Sequence, residues 1–453
     1  MTKFSTRRSK TLFSAATRVA AFAVLLPGTC LPKYGAALSQ TLSAKQAVSP
    51  RIAALDRELQ SGKLAALDQF WQAVTSEGTP IIEEIQGDER NTLVTFVWRA
   101  KEQTNNVVVF GCGGGNLSRN QMSRLPNTDL WYKTYHVPRD ARFTYSLSPN
   151  DSLVPIDELE EKDISTRVAT FRMDPLNKRG AGGGGSIVEL PGAPVSPWIS
   201  RQPDIPKGKL DGARIKSTIL NNERRAWVYT PPGYTRDGKA YGLIVMFDGP
   251  MYTLLIPTAT ILDNLLAQSK APPLIALILD NPTASSRNTE FACYEPFAEF
   301  IAKEAIPWVR ANYNVTTNPG QTAVSGVSFG GLAAAFVGLR HPEIFGNVIC
   351  QSGSFWWKPD GEAEPEWLTR QFVAGPRLAL RFHLEVGLFE TGPTPGPAPD
   401  MVSVSRHLRD VLEAKGYEVN YRECNCGHDF LHWRGMLPDA FITLLGGDGN
   451  QKK

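Results

Sequence analysis

Residues 322–331 read Thr-Ala-Val-Ser-Gly-Val-Ser-Phe-Gly-Gly, and this stretch decides the fold of the larger part of the chain. A short apolar run leads into a Gly-x-Ser-x-Gly motif whose serine is Ser328. A serine on a sharp turn between a strand and a helix has a costly backbone conformation, and Gly326 and Gly330 let the two elements pass closely. The apolar run 332–339 then predicts a buried helix with its positive N-terminal end beneath the serine.

A strand, a sharp turn and a helix form the context that a nucleophile elbow requires, so we predict an α/β-hydrolase fold around Ser328. Beyond residue 206, short apolar strands alternate with helical segments, which indicates an α/β domain with a mostly parallel sheet covered on both faces. The predicted strands are residues 224–230, 241–247, 274–279, 347–351, 378–386 and 418–422, and the predicted helices are 297–313 and 402–415.

The first half of the chain has a different pattern. Apolar positions recur at helical spacing in residues 50–76, with Ser61-Gly62 as a candidate break, and short β-rich runs separated by turn residues follow. These runs are residues 93–98, 107–110, 130–137 and 143–147. We therefore predict an N-terminal β-sandwich domain with a leading helix over residues 38–200 and an α/β-hydrolase esterase domain over residues 201–447. A mobile glycine-rich loop and a proline-rich linker are expected near the boundary.

Residues 1–37 are expected to be a signal peptide. They carry six basic residues and no acidic one, and a short apolar run precedes small residues at 35–37. Removing these six charges from the net charge of +3 leaves −3, so no basic domain for nucleic acid remains. No other segment has about 18 uninterrupted apolar residues, so we expect no stable membrane insertion after signal removal. This places the mature protein in the periplasm.

Five cysteines follow the predicted signal peptide, and five cannot all pair within one chain. Cys424 and Cys426 lie just before a histidine, which is one feature of a metal site. No second cluster of ligand residues accompanies them, so we favour packing thiols or a disulfide over a metal site. We expect no metal and no other cofactor.

The hydroxyl of Ser328 is a poor nucleophile at neutral pH and needs a histidine base, which itself needs an oriented acid. In α/β-hydrolases these residues follow the order serine, acid, histidine. His428 lies just past the last predicted strand, where this fold has its base, and His432 is the second choice. The acid should follow the preceding strand. Glu390 lies in that loop, whereas Glu385 is still inside the strand, so Glu390 is favoured.

The oxyanion that forms during ester hydrolysis needs two hydrogen-bond donors. The backbone N–H of Phe329, just after the nucleophile, is the first. The second is expected in the loop after an early strand, at residues 248–251.

Several further stretches resemble the enterochelin (enterobactin) esterase family. In the second half they are residues 246–249, 286–290, 324–332, 351–357, 385–390, 427–429 and 433–434. In the first half they are residues 96–99, 125–131, 174–177 and 190–191. The resemblance covers about residues 60–447, and the combination is far more specific than the serine motif alone.

The resemblance implies hydrolysis of the trilactone of ferric enterobactin-type catecholate siderophores, which releases iron. Carried over by position, Ser328 is the nucleophile, His428 the base and Glu390 the acid. Arg287 and Arg434 resemble substrate-site residues, and arginine suits this role because it offers fixed donors to catecholate oxygens and stacks on their rings.

Three tryptophans near these positions, Trp356, Trp357 and Trp433, are either aromatic walls of the site or core residues.

Two features depart from the family pattern. Pro250 has no N–H at a position that donates to the oxyanion in some relatives, so the second donor is Gly249 or Met251. Many members are also cytoplasmic, whereas this chain carries an export signal.

Two other functions remain open from the sequence. One is a feruloyl or acetyl-xylan esterase of the same superfamily, in which the sandwich would bind carbohydrate. The other is a siderophore-binding protein without catalysis. The complete set of serine, acid and histidine argues against the second, because binding alone needs no nucleophile elbow.

Overall fold

The computed structural model describes residues 48–112, 117–155, 166–181, 185–394 and 398–446. The predicted signal peptide, and with it the predicted cleavage site, lies outside the described residues. Among the described residues, no helix is both long and apolar enough to cross a bilayer.

The N-terminal half contains two antiparallel sheets. Their strands are β1 (Ile81–Ile85), β2 (Asp88–Arg99), β3 (Val107–Phe110), β4 (Ser123–Arg124), β5 (Leu130–Pro138), β6 (Arg142–Pro149) and β7 (Ser186–Glu189). One sheet has the order β1-β2-β5-β4 and the other the order β3-β6-β7. Phe96 of β2 packs with Val109 of β3 and Phe143 of β6 in one buried cluster, so the sheets form the predicted sandwich.

Two helices, α1 (Pro50–Gln60) and α2 (Ala65–Glu77), cover the outer face of the four-stranded sheet. Successive residues of a strand point to opposite faces, so Val97 points away from the cluster that holds Phe96. Val97 packs instead with Trp71 and Val74 of α2. The predicted leading helix is therefore two helices, and they complete a second small core.

The C-terminal half contains an eight-stranded sheet of order β15-β14-β13-β12-β10-β11-β9-β8. Its strands are β8 (Lys209–Ser217), β9 (Asn222–Thr230), β10 (Gly242–Met246), β11 (Leu274–Leu279), β12 (Thr322–Val327), β13 (Asn347–Gln351), β14 (Arg381–Gly387) and β15 (Glu418–Cys424). The six strands β10 to β15 pair in parallel, and β9 pairs antiparallel with β11 and β8. The mostly parallel sheet of an α/β-hydrolase domain is thereby confirmed.

Helices cover both faces of this sheet. They are α4 (Thr258–Ala267), α5 (Ala284–Phe291), α6 (Glu295–Phe300), α7 (Ile306–Asn312), α8 (Phe329–Arg340), α9 (Trp367–Ala374), α10 (Met401–Ala414) and α11 (Phe430–Leu445). The short helix α3 (Leu117–Asn120) belongs to the N-terminal half, where it lies beside β3. On β10, Val245 packs in one core cluster and Ile244 in the other, so each face has its own core.

One predicted helix, residues 297–313, is interrupted. The chain forms α6, then a π-helical turn at Ile301–Ala305, then α7. Pro307 lies near the start of α7 and has no N–H to donate, so regular helical hydrogen bonding cannot continue through this point. The domain boundaries at residues 200 and 447 stay predictions.

Candidate active site

The three predicted catalytic residues, and one serine that was not predicted, follow the carboxyl ends of parallel strands. Ser328 follows β12, Ser352 follows β13, Glu390 follows β14 and His428 follows β15. Because carboxyl ends of parallel strands meet at one edge of the sheet, the four residues gather there, as in other open α/β sheets.

Ser328 lies on the turn between β12 and α8 with φ +56° and ψ −123°. A side chain rarely adopts this conformation, so the turn is strained. A Cβ atom on Gly326 would lie 2.1 Å from the carbonyl oxygen of Gly330, which explains the first glycine of the motif. The N–H of Ser328 donates to the carbonyl of Gln351 at 2.9 Å, and this bond ties the turn to the neighbouring strand.

His428 and Glu390 form a short hydrogen bond of 2.6 Å between Nδ1 and Oε2. The Glu390 side chain is 1% exposed and that of His428 30% exposed, so the acid is buried while the imidazole remains accessible. Burial alone would raise the pKa of Glu390, but the neighbouring imidazole and hydrogen bonds from His428 and Ser352 leave it below its ordinary value. The carboxylate is therefore held in its ionised form.

The two second choices, Glu385 and His432, lie in a buried group next to the pair of His428 and Glu390. Glu385 lies inside β14 and accepts from Gln351 Nε2 at 2.6 Å, and its other oxygen lies 3.2 Å from His383 Nε2. His432 lies in α11 with a fully buried ring, 3.6 Å from Glu385 and 3.8 Å from Glu390. Glu385 thus has other partners, and the acid beside His428 is Glu390.

Ser352 connects several residues of the site, although no role was predicted for it from the sequence. Its hydroxyl donates to Glu390 Oε1 at 2.6 Å and accepts from Trp433 Nε1 at 3.0 Å. The Trp433 ring also packs edge-on against His428 at a centroid distance of 5.0 Å. The available signal was its position directly after strand β13 in a Gln-Ser-Gly sequence, since polar residues at strand ends face this edge.

The loop at residues 248–251 lies beside the elbow. A Cβ atom on Gly330 would lie 3.0 Å from Asp248 Oδ2. Asp248 has a φ of +64°. The N–H of Met251 donates to the Asp248 carbonyl at 2.9 Å, so that N–H is occupied within the loop. The buried Gly249 directly follows Asp248 and lies against Trp227.

Arg287 forms a two-pronged ion pair with Asp248. Its Nε lies 2.5 Å from Oδ1, and its Nη2 lies 2.8 Å from Oδ2. The guanidinium also lies over the Phe291 ring. Burial lowers the pKa of Arg287, but the Asp248 carboxylate outweighs this effect and raises it. Arg287 thus lies in α5, and its side chain binds the loop beside the elbow with its charge already paired.

Arg434 has a different setting. No carboxylate in the described part of the chain lies within salt-bridge distance of it, and its Nε is buried without a hydrogen-bond partner there. The guanidinium lies over the Phe430 ring at 5.3 Å. Burial and the neighbouring Arg142 lower its pKa, so the positive charge is poorly compensated.

Trp356 and Trp357 are buried in the core on one face of the sheet. Trp356 packs edge-on against Phe329, and Trp357 against Trp367. Packing accounts for both rings, and their contact with substrate stays a prediction. Trp433 is also buried, but it touches His428.

Cys424 and Cys426 form a disulfide just before the histidine loop. Among the described residues, Cys293 and Cys350 are in no disulfide. Within the described ranges, no group of three or more His, Cys, Asp or Glu residues is arranged to hold a metal ion.

Two family models match the chain. One, described as a putative esterase, matches residues 217–444, and one, described as the N-terminal part of enterochelin esterase, matches residues 93–199. The iron(III) enterobactin esterase of Dickeya dadantii is 30% identical over 432 residues, which cover 87% of this chain and 96% of that protein. The iron(III) enterobactin esterase of Escherichia coli K12 is 29% identical over 393 residues, covering 83% and 93%.

A solved structure is similar over the same extent. The crystal structure of the enterobactin esterase from Shigella flexneri, determined in the presence of enterobactin, matches with a TM-score of 0.66 and 28% identity. The match covers 83% of this chain and 97% of that one, so both halves of the chain share its fold.

Proposed function

The chain belongs to the enterochelin esterase family, and on that premise we propose that it hydrolyses the trilactone esters of ferric enterobactin-type catecholate siderophores and so releases their iron. The observation that carries the proposal is the 2.6 Å pair of His428 and Glu390 at the sheet edge where the Ser328 elbow lies. This set of residues supports acyl transfer to serine, without a metal cofactor.

In the proposed reaction, the Ser328 hydroxyl oxygen attacks the ester carbonyl carbon while Nε2 of His428 takes the hydroxyl proton. Glu390 accepts the Nδ1–H bond and stabilises the imidazolium that forms. His428 then gives its proton to the leaving alcohol, and water hydrolyses the acyl-enzyme by the same steps. The structure has no hydrogen bond between Ser328 and His428, a contact that often tightens only when substrate binds.

The negative charge on the attacked carbonyl oxygen is proposed to meet two backbone donors. The first is the N–H of Phe329 at the start of α8, where the helix dipole also favours negative charge. The second is the N–H of Gly249, since the N–H of Met251 already donates to Asp248.

We place the substrate beside Arg434, whose charge no carboxylate of the described residues pairs with. A tris-catecholate complex of ferric iron is a trianion, and an arginine in this state offers charge-assisted hydrogen bonds and a flat face for stacking. Trp433 precedes Arg434 in α11 and its ring packs against His428, so it is the tryptophan best placed to meet the substrate.

The reaction is proposed to take place in the periplasm, because residues 1–37 have the basic head and short apolar run of a signal peptide. Cell fractionation followed by N-terminal sequencing tests this. We expect a periplasmic protein that begins near residues 37–40. Intact protein beginning at Met1 and confined to the cytoplasm would contradict it.

Product analysis of ferric enterobactin after incubation with the protein tests the reaction. We expect linear ester-cleavage products from the wild type and none from Ser328→Ala or His428→Ala, both folded. The double variant should be little worse than either single one, because members of a triad act as a unit. Wild-type labelling by a serine-reactive fluorophosphonate should disappear in Ser328→Ala.

This experiment tests the proposed substrate and the proposed catalytic mechanism separately. Faster turnover of feruloyl or acetyl sugars than of enterobactin would overturn the siderophore substrate and leave the esterase chemistry intact. Unchanged hydrolysis by Ser328→Ala would overturn the nucleophile itself.

A further inference from the structure

The N-terminal sandwich reaches the loop that carries the proposed base. Strand β6 runs beside the segment between β15 and α11, where the N–H of Arg142 donates to the Asn425 carbonyl at 3.0 Å. Two residues further along β6, the N–H of Thr144 donates to Asp429 Oδ2 at 2.7 Å. Asp429 directly follows His428, so this bond fixes the backbone next to the imidazole.

The same strand also holds the loop of the proposed acid. Phe389, the neighbour of Glu390, packs against the sandwich core and meets Phe143 of β6 edge-on at a centroid distance of 5.4 Å. The N–H of Phe389 donates to the Cys426 carbonyl at 3.0 Å, which joins the two loops to each other. Both loops are therefore attached to one strand of the sandwich.

Asp429 accepts hydrogen bonds from two elements, helix α11 and strand β6. Its Oδ1 accepts from the N–H groups of Leu431 and His432 and caps α11, while its Oδ2 accepts from the sandwich. The carboxylate is buried, and a buried carboxylate is retained only where its oxygens find donors. Removing the sandwich donor would leave Oδ2 unsatisfied.

We infer that strand β6 is a positioning element of the active site, which holds the acid and the base at hydrogen-bond distance through Phe143 with Phe389 and through Thr144 with Asp429. The inference rests on the proposed function, because it needs Glu390 and His428 to act as a pair. None of these four residues touches the reacting atoms. A sandwich that only bound carbohydrate would need no contact with both loops.

The first test compares two half-buried phenylalanines of similar setting. Phe389→Ala removes the contact between the acid loop and the sandwich. Phe171→Ala is the matched control, since Phe171 stacks on Phe110 within the sandwich at 4.3 Å and lies on neither catalytic loop. Loss of position costs catalysis rather than binding, so Phe389→Ala should lower kcat on a small neutral p-nitrophenyl ester by about ten- to a hundredfold, with KM nearly unchanged.

A spectroscopic measurement separates position from general stability. The short Nδ1–H bond of His428 to Glu390 should give a downfield proton resonance in the wild type. We expect this resonance to be lost or broadened in Phe389→Ala and retained in Phe171→Ala, at a temperature where thermal melts show both variants folded.

A second pair of variants tests the other contact of β6, between Thr144 and Asp429, without changing Phe389. In Asp429→Asn, one oxygen can still cap α11, but the amide nitrogen then faces the N–H of Thr144. The control is Asp400→Asn, since Asp400 caps α10 by accepting from the N–H of Ser403 and makes no hydrogen bond to the described part of the sandwich. Asp429→Asn should lower kcat about tenfold or more, and Asp400→Asn should have the kcat of the wild type.

All four variants are assayed beside Ser328→Ala, so that the two proposals can fail separately. Equal kcat values for each variant and its control, with the downfield resonance intact in both, would overturn the positioning role while Ser328→Ala remained inactive. Activity retained by Ser328→Ala would instead overturn the proposed function on which the inference rests.

Discussion

At the scale of single residues, the two glutamates near β14 provide the most direct test of the site. Glu390 bonds to His428, whereas Glu385 bonds to Gln351 and His383. We expect Glu390→Gln to lower kcat by roughly a hundredfold or more, because the amide no longer stabilises the imidazolium. Glu385→Gln is the matched change in the neighbouring buried group. A larger loss of kcat in Glu385→Gln than in Glu390→Gln would show that the acid is Glu385.

The lowered pKa of Glu390 also predicts how stability depends on pH. A carboxylate whose pKa is lower in the folded than in the unfolded protein stabilises the fold fully above its ordinary value of 4.5. This contribution is lost as the pH falls through the lowered value. The difference in unfolding free energy between wild type and Glu390→Gln should thus be largest near neutral pH and shrink in acid. Urea unfolding at a series of pH values measures it, and a constant difference would contradict the lowered pKa.

The contacts of Arg287 indicate a different role from the one that the family resemblance suggested. The resemblance suggested a substrate ligand, but both of its prongs bind Asp248, which precedes Gly249 on the proposed oxyanion loop. We therefore expect Arg287→Ala to lower kcat even on a small neutral ester, by about tenfold, because the loop loses its anchor. Arg287→Lys should not restore activity, since lysine cannot form the two-pronged pair.

The control for this prediction is Arg406→Ala. Arg406 forms a similar two-pronged pair with Glu423, but on the outer surface of α10 and β15. Arg406→Ala should leave kcat on the neutral ester unchanged. Unchanged hydrolysis of that ester by Arg287→Ala, combined with weaker siderophore binding, would restore the simpler role as a substrate ligand.

At the scale of elements, the sequence predicted those whose pattern is local. The buried strands β3 and β11 have the predicted bounds because each is a continuous apolar run, and β13 has the predicted bounds around an apolar centre. Strand β8 was not predicted, because seven of its nine residues are not buried and its pattern is polar. Edge strands are stabilised by pairing with a neighbour, which a local pattern does not contain.

The same contrast between local patterns and long-range contacts applies to the residues of the site. Ser328, Glu390 and His428 could be chosen because strand order places them at one sheet edge. Ser352 and the Arg287 pair could not, because strand order does not specify which partners these side chains meet 38 and 39 positions away. The attachment of strand β6 to the histidine loop joins residues 285 positions apart and has no local signal at all.

The turn between β12 and α8 is the element most sensitive to substitution. In Gly326→Ala the added Cβ would overlap the backbone of Gly330, so the strand and the helix must separate. We expect a loss of stability of about 1–3 kcal/mol, together with loss of esterase activity. Gly212→Ala in β8 is the control, since a Cβ there meets nothing within 4 Å. Thermal melts and ester assays of both variants measure the difference, and a fully active Gly326→Ala would exclude the strained turn.

At the scale of the whole molecule, charge limits how a trianionic substrate can be held. Without residues 1–37 the chain has a net charge of −3, so long-range attraction does not favour the complex and local groups must supply the binding energy. Arg287 is already neutralised by Asp248, which leaves Arg434 as the better candidate. One charge-assisted contact contributes roughly 1.5–3 kcal/mol. Arg434→Ala should therefore weaken ferric enterobactin binding by about ten- to a hundredfold.

Binding is measured by quenching of tryptophan fluorescence in a Ser328→Ala background, so that no turnover occurs. Arg214→Ala provides the control for net charge, because Arg214 pairs with Glu223 on the opposite edge of the sheet. If Arg434→Ala and Arg214→Ala weaken binding equally, the effect is one of total charge, and Arg434 is no ligand. If only Arg434→Ala weakens binding and the variant still hydrolyses a neutral ester, Arg434 is a ligand of the anion. The bound anion would then stabilise the positive charge of this guanidinium, whose pKa is lowered by burial and by Arg142. Raising the salt concentration should then reduce wild-type affinity more than that of Arg434→Ala, since the variant has one fewer charged contact to screen.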